Sequence, residues 1–206
     1  MMNNSSLENM GLGCGDVDGF RETYIALKEK FDIQLTGNID FNLGQFEIFN
    51  HYLGFDVRDS YVLKHLNCDS YILFIETTLK NMGKGSFGGY SDCQTWALCY
   101  LKHDFGRVLI RRETLTDKLL ELVHPIELDF ADDKAFSDTF YVLVNDHAKA
   151  NMAINRNFRN AVMDIREDDF VIEIVEHTLV IGDRKPISPE RAVYLAEFVS
   201  RVASLC

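Results

Sequence analysis

The chain has 206 residues, 47% of them hydrophobic and 12% aromatic, which is enough to build a core and excludes a disordered composition. Its formal net charge of −11 argues against nucleic-acid binding, since phosphate contacts need clustered Lys and Arg. No apolar run reaches the roughly 18 residues of a membrane span. The polar N-terminus is unlike a signal peptide, and five irregularly spaced cysteines favour free thiols and a cytoplasmic location.

The first half of the chain is predicted to be rich in strands. Residues 1–16 form a flexible tail in this prediction, and residues 17–206 form a single α+β domain. The domain opens with a helix from Gly19 to Phe31 that Asp18 caps. Apolar patterns then predict strands at Gln45–Asn50, Gly54–Val57, Tyr71–Leu79 and Arg107–Ile110.

The segment Asp92–Leu101 is ambiguous in the sequence. It is apolar on both faces, as a strand buried in a sheet is, yet Ser91-x-x-Gln94 has the pattern of a helical capping box. Both interpretations stay open on the residues alone.

The second half of the chain has the clearest secondary-structure pattern. Its apolar period switches from 2 to 3.6 and back, which predicts a strand, a helix and a hairpin with its turn at Glu176-His177. The segments are Glu113–Val123 (helix), Thr139–Val144 (strand), Ala148–Met163 (helix), Phe170–Val175 and Thr178–Ile181 (hairpin). Ser188 and Pro189 begin a last helix. We therefore predict a largely antiparallel sheet with packed helices, including a C-terminal one.

A glycine-rich segment, Gly83–Gly88, matches the pattern G-x-G-x-x-G of nucleotide-binding loops. The lysine strand and the H-R-D loop of protein kinases are missing. A dinucleotide fold needs a strand before the glycines and a helix after them, and only the strand is clear in the sequence. Because glycine accepts positive φ at no steric cost, the segment is predicted to be a hairpin loop. No cofactor is expected.

Cys93 is the candidate nucleophile of an alternative interpretation. If a helix began there, its dipole would lower the thiol pKa, as in papain-like thiol hydrolases, and His124 or His147 would act as the base. Asp146 is badly placed to orient His147, because adjacent residues usually point apart. Burial of Cys93 in a core strand is the competing prediction.

Metal ligation is not predicted. Cys93, Cys99 and His103 share one face of an extended strand but would spread over roughly 30 Å. Asp129, Asp132 and Asp133 form an acidic loop without the ligand order of an EF-hand, so it is interpreted as a solvated turn.

The order of elements from Tyr71 to the C-terminus carries a resemblance. The matching segments are Ile72–Thr78, Gly83–Gly89, Gln94-Thr95, Val108–Glu113, Asp129-Phe130, Phe136-Ser137, Phe140–Leu143 and the helix, hairpin and helix that follow. In this order they resemble a family of uncharacterised bacterial proteins of unknown function, whose members often follow membrane helices. The resemblance implies an α+β domain with a strand at Asp92–Leu101, and it supplies no catalytic residues.

The sequence thus favours a non-catalytic binding or scaffold module. The sequence leaves the ligand open, with an unknown protein partner as one candidate. No nucleic acid and no integral membrane segment are expected, and the oligomeric state is left open. A papain-like thiol hydrolase that uses Cys93 is the alternative. The two differ in whether Cys93 lies within a strand or at the start of a helix.

Overall fold

The computed structural model describes residues 17–37, 39–64, 68–80, 89–112, 126–165 and 169–205. Within these ranges lie nine strands: β1 (Ile33–Leu35), β2 (Gly54–Leu63), β3 (Ser70–Lys80), β4 (Gly89–Tyr100), β5 (Arg107–Arg112), β6 (Ile126–Glu127), β7 (Phe140–Val144), β8 (Val171–Val175) and β9 (Thr178–Pro186). The same ranges contain five α-helices: α1 (Val17–Lys30), α2 (Lys134–Ser137), α3 (His147–Ala153), α4 (Arg156–Met163) and α5 (Pro189–Leu205).

All nine described strands form one sheet in the order β1-β2-β3-β4-β9-β8-β5-β7-β6, and every neighbouring pair is antiparallel. The hairpin of β8 and β9 lies at the centre, because β9 pairs with β4 and β8 pairs with β5. The predicted α+β fold class, with a largely antiparallel sheet and a C-terminal helix, is confirmed.

The two faces of the sheet are covered by different parts of the chain. One face, here called the helix face, packs against side chains of all five α-helices, including Leu27, Phe136, Phe158 and Val199. The other, here called the loop face, packs against an aromatic segment, residues 41–52, that contains two 3-10 turns, Leu43–Gln45 and Glu47–Phe49. Because both faces are covered, the central strands are apolar on both sides.

All of the ambiguous segment except Leu101 lies within β4, so the strand interpretation is the correct one. Alternate side chains of β4 serve opposite faces: Ala97 and Cys99 belong to the helix face, whereas Trp96 and Leu98 belong to the loop face. All four are at most 2% exposed.

Two local predictions are wrong. The helix predicted over Ala148–Met163 is split into α3 and α4, because the Asn155 side chain accepts a bond from the Phe158 N–H (3.0 Å) and starts a new helix. The strand predicted at Gln45–Asn50 is replaced by the two 3-10 turns. The second turn is held by Glu173 of β8, 126 residues away along the chain, which accepts the Glu47 N–H (3.0 Å).

Two other predictions are confirmed, and several others concern residues outside the described ranges. β3 contains the whole predicted strand Tyr71–Leu79, and α5 begins at Pro189 as predicted. The tail 1–16, the glycine-rich segment Gly83–Gly88 and the helix predicted at Glu113–Val123 lie outside the described residues. Among the described helices, none is long and apolar enough to cross a lipid bilayer.

Candidate functional site

An open groove of about 630 Å³ lies beside β6 at one edge of the sheet. It is lined by residues from β6, from the loop that follows it and from α2, namely Glu127, Asp129, Phe130, Ala131, Lys134, Ser137 and Asp138. A groove of this size and openness can take an extended segment of another chain, and its position at a sheet edge is one that partners commonly use.

The backbone of β6 is oriented by its pairing with β7. Ile126 lies opposite Val144 and Glu127 opposite Leu143, and the Leu128 N–H donates to the carbonyl of Val142 at 2.9 Å. Hydrogen-bonded and non-bonded pairs alternate along an antiparallel ladder. Because Leu128 is in a bonded position, the N–H and C=O of Glu127 point away from β7. Within the described residues, no strand pairs with that outer side.

Local hydrogen bonds and aromatic packing shape the wall formed by α2. Asp133 caps α2 by accepting the Phe136 N–H at 3.3 Å, and the Ser137 hydroxyl accepts the Phe130 N–H at 2.8 Å. The rings of Phe130 and Phe136 pack edge to face with centroids 5.5 Å apart, and both are buried. The wall is therefore continuous with the hydrophobic core.

Arg159 of α4 fixes the acidic loop from below. Its guanidinium donates to Asp132 (2.6 Å) and to Asp133 (3.0 Å), and it lies 4.6 Å from the centre of the Phe130 ring. The Arg159 side chain is 5% exposed, whereas Asp132 and Asp133 are 70% and 21% exposed, so a buried cation pairs with carboxylates that reach the surface. Two of the three aspartates of the predicted solvated turn are thus paired with a buried cation. In the described part of the chain, no His, Cys, Asp and Glu cluster could hold a metal ion.

The groove carries a negative charge toward solvent. The exposed carboxylates of Glu127, Asp129 and Asp138 line it together with a single exposed ammonium group, that of Lys134. Since the whole chain has a formal charge of −11, the field around the groove favours a positively charged ligand.

The structure places Cys93 within β4, on the helix face and in register with Glu76 of β3. Cys93 is 8% exposed and is disulfide-bonded, whereas Cys68 and Cys99 are not in disulfide bonds. No helix begins at Cys93, so the helix start on which the thiol-hydrolase interpretation depends is not there. The expectation of free thiols is therefore wrong for Cys93.

The candidate base His147 is far from Cys93. His147 begins α3, just beyond the end of β7, and Asp146 caps that helix by accepting the Lys149 N–H at 3.1 Å. Cys93 is roughly 20 Å along β4 from the row of the sheet that contains Val144, and four strand spacings of about 4.8 Å separate β4 from β7. The other candidate, His124, lies outside the described residues.

A buried ion pair on the loop face was missed by the sequence analysis. The fully buried carboxylate of Glu173 accepts bonds from the Ile48 N–H (3.0 Å) and from the Arg107 guanidinium (2.9 Å), and Arg107 also donates to the carbonyl of Gln45 (2.9 Å). Burial raises the pKa of Glu173, against the opposing effect of these donors. One acid in the apolar run Val171–Val175 was the available signal. Its role is to fasten the 3-10 turns to the sheet.

A second buried polar group lies on the same face. The Tyr52 hydroxyl and the Trp96 indole N–H both donate to the Gln94 side-chain oxygen, at 3.0 and 3.1 Å. Burial raises the pKa of the Tyr52 hydroxyl. Because its donors are tied to a buried acceptor, we interpret this group as part of the packing between residues 41–52 and the sheet.

Comparisons with known proteins give a fold and no family. No protein family matches the chain, and no curated protein does. Among solved structures, the chain is similar to the crystal structure of the mycobacterial trehalose monomycolate transport factor A, TtfA, with a TM-score of 0.54. The alignment covers 91% of this chain and 93% of that chain at 11% sequence identity. The two proteins therefore share an α+β fold.

Proposed function

We propose that the protein is a non-catalytic binding module that holds a segment of a protein partner in the groove between β6 and α2. The observation that carries the proposal is the groove itself, an open volume of about 630 Å³ with exposed carboxylates at an edge of the sheet. A binding role needs only shape and charge complementarity, and both are built into this groove.

Further observations support a binding role over catalysis. Cys93 of β4 lies far from His147 at the start of α3, and the buried polar groups of the loop face are engaged in holding residues 41–52. The similar fold of TtfA belongs to a protein named for transport and not for a chemical reaction. The resemblance noted in the sequence, to a bacterial family of unknown function, is compatible with a binding module and remains a proposal.

The proposal can be tested by selecting ligands from a displayed library of random peptides. Wild-type protein is the bait, and selected peptides are then measured against Asp129→Lys, which reverses a charge in the groove. The matched control is Glu22→Lys, which makes the same charge change on the exposed surface of α1. We expect binding to be lost in the groove variant and kept in the control. Failure to select any peptide, or equal losses in both variants, would contradict the proposal.

We also propose a cytoplasmic location, and the oxidation state of Cys93 tests it. The odd, irregular set of cysteines favours the cytoplasm, whereas a disulfide at Cys93 favours an oxidising compartment. Cells are lysed in denaturant that contains an alkylating agent, so that buried thiols also react, and mass spectrometry then separates the two. Labelled Cys93 supports the cytoplasmic proposal, and protection of Cys93 until reductant is added rejects it.

A further inference from the structure

We infer that the partner segment enters the groove as an extended strand that pairs with β6 and carries basic side chains at every second position. This inference rests on the function proposed above and deepens it by naming the conformation and charge of the ligand. It follows from the backbone of the sheet edge, from the spacing of the carboxylates and from the anchoring of the groove wall.

The outer side of β6 carries backbone groups that a further strand could pair with. The N–H and C=O of Glu127 point away from β7, and the described part of the chain has no strand on that side. An edge strand with outward donors and acceptors accepts an added strand, whose main-chain hydrogen bonds supply affinity. The two-residue length of β6, extended by the Leu128 bond to β7, limits this pairing to a short segment.

The side chains at this edge select an alternating pattern. Glu127 and Asp129 are two residues apart, so their carboxylates lie on one side of the extended chain at a spacing of roughly 6.6 Å. Two ligand residues that are two positions apart on a paired strand have the same spacing. Lys or Arg at these positions would lie beside the carboxylates of Glu127 and Asp129. The intervening side chains of the ligand would face the side of Ile126, which is 46% exposed. The expected pattern is basic, apolar, basic.

The wall of the groove is held by contacts within the chain. Arg159 holds Asp132 and Asp133 from beneath, and Asp133 caps α2. Ordering this loop therefore adds little to the entropic cost of binding, so a short segment with few contacts is enough to bind. The three groove carboxylates outside this network, Glu127, Asp129 and Asp138, remain exposed to the ligand.

The test uses labelled nine-residue peptides in which lysine and valine alternate, measured by fluorescence anisotropy against the full chain. Two derivatives carry N-methyl groups on alternate amides, one set on each edge of the peptide. A third peptide has the same composition with its lysines grouped together. N-methylation blocks hydrogen bonding on one edge only, so the two methylated peptides have equal composition and differ only in the blocked edge.

We expect one methylated peptide to bind like its parent. The other should bind at least about tenfold more weakly, since two or more main-chain hydrogen bonds are lost. The peptide with grouped lysines should bind several-fold more weakly than the alternating one. Raising the salt concentration should weaken the parent, because exposed charge pairs are screened.

Protein variants test the same geometry from the other side. Glu127→Pro removes the outward N–H along with the carboxylate, whereas Glu127→Gln removes the charge and keeps the N–H. We expect about a two- to fivefold loss of binding for the glutamine variant and a further loss for the proline variant. Thermal melting of each variant shows whether the fold is kept, and the methylated peptides decide the question on wild-type protein if the proline variant is unfolded.

Each outcome decides for or against the inference. Equal binding of both methylated peptides, with loss in Asp129→Lys, overturns strand pairing and leaves the binding function standing. Equal binding of the alternating and grouped peptides overturns the alternation. If no lysine peptide binds, the inference is wrong, and the library selection then decides separately whether the groove binds another ligand.

Discussion

Replacing Gly182 by alanine tests the packing of the loop face at its tightest point. Gly182 of β9 lies opposite Trp96 of β4 in the sheet. A Cβ atom at Gly182 would lie 2.4 Å from Cε3 and 2.5 Å from Cδ2 of the Trp96 indole. Carbon atoms in contact are normally about 3.5–4.0 Å apart, so the indole would have to move by more than about 1 Å.

The indole has little room to move, which sets the size of the effect. Trp96 is 2% exposed, packs against Phe49 with ring centroids 5.0 Å apart, and donates its N–H to Gln94 at 3.1 Å. Overpacking of a core costs about 1–3 kcal/mol, and loss of the indole hydrogen bond costs about 1 kcal/mol. Alanine regains about 0.5–1 kcal/mol of backbone entropy in the strand. We therefore expect Gly182→Ala to lower the free energy of unfolding by about 1–3 kcal/mol.

Trp96 is the sole tryptophan of the chain, so its fluorescence reports urea unfolding of this region directly. Gly54→Ala is the matched control, because a Cβ there meets nothing within 4 Å. In a Trp96→Ala background, followed by circular dichroism, the cost of the Gly182 change should shrink. Equal urea midpoints for Gly182→Ala and Gly54→Ala would refute the packing of Trp96 against β9.

Three further predictions concern other parts of the fold. Glu173→Ala should lower the free energy of unfolding by about 2–5 kcal/mol in urea melts, because it leaves the Glu47 and Ile48 N–H groups without their acceptor and removes a carboxylate from Arg107. A change below about 1 kcal/mol would count against this anchoring role of Glu173. A hydrogen bond from Lys149 (2.6 Å) lowers the pKa of Asp104 in the folded protein. The ionised Asp104 carboxylate therefore stabilises the fold at pH values above the pKa that Asp104 has in the unfolded chain, and this stability is lost as the pH falls through the pKa of the folded state. Asp104→Asn should therefore flatten the acid side of a plot of urea midpoint against pH, and an unchanged slope would exclude the effect. Leu195→Ala should cost about 2–5 kcal/mol, since Leu195 is 3% exposed in α5, whereas Met152→Ala at an 82% exposed position should leave the denaturation midpoint nearly unchanged.

Local sequence patterns predicted secondary structure correctly where the residues of an element themselves decide its conformation. β3, the hairpin of β8 and β9, and α5 all occur where apolar periodicity predicted them. Alternation in a strand and the 3.6-residue period of a helix arise from neighbouring residues, so a single sequence carries them. The exposed acidic loop at Asp129 was also visible, although its connection to a groove was not.

Tertiary contacts decided what the patterns left open. Glu173 sets the conformation of the turn at Glu47 through two hydrogen bonds across the sheet, and no signal near Glu47 shows this. The strand identity of Asp92–Leu101 depends on pairing with both β3 and β9. The position of Cys93 relative to His147 followed from the strand order.

By itself, then, the sequence determined the fold class, the main strands of the second half and the C-terminal helix of this protein. Only the tertiary structure decided that β9 enters between β4 and β8, that residues 41–52 cover one face and that β6 forms an edge beside an acidic groove. The physical reason is that secondary structure reflects interactions between near neighbours in the chain. Strand order and grooves are set by contacts between residues far apart in the chain. Many arrangements of the same strands would pair their hydrogen-bonding groups and bury their apolar surfaces, so the local pattern does not select one of them.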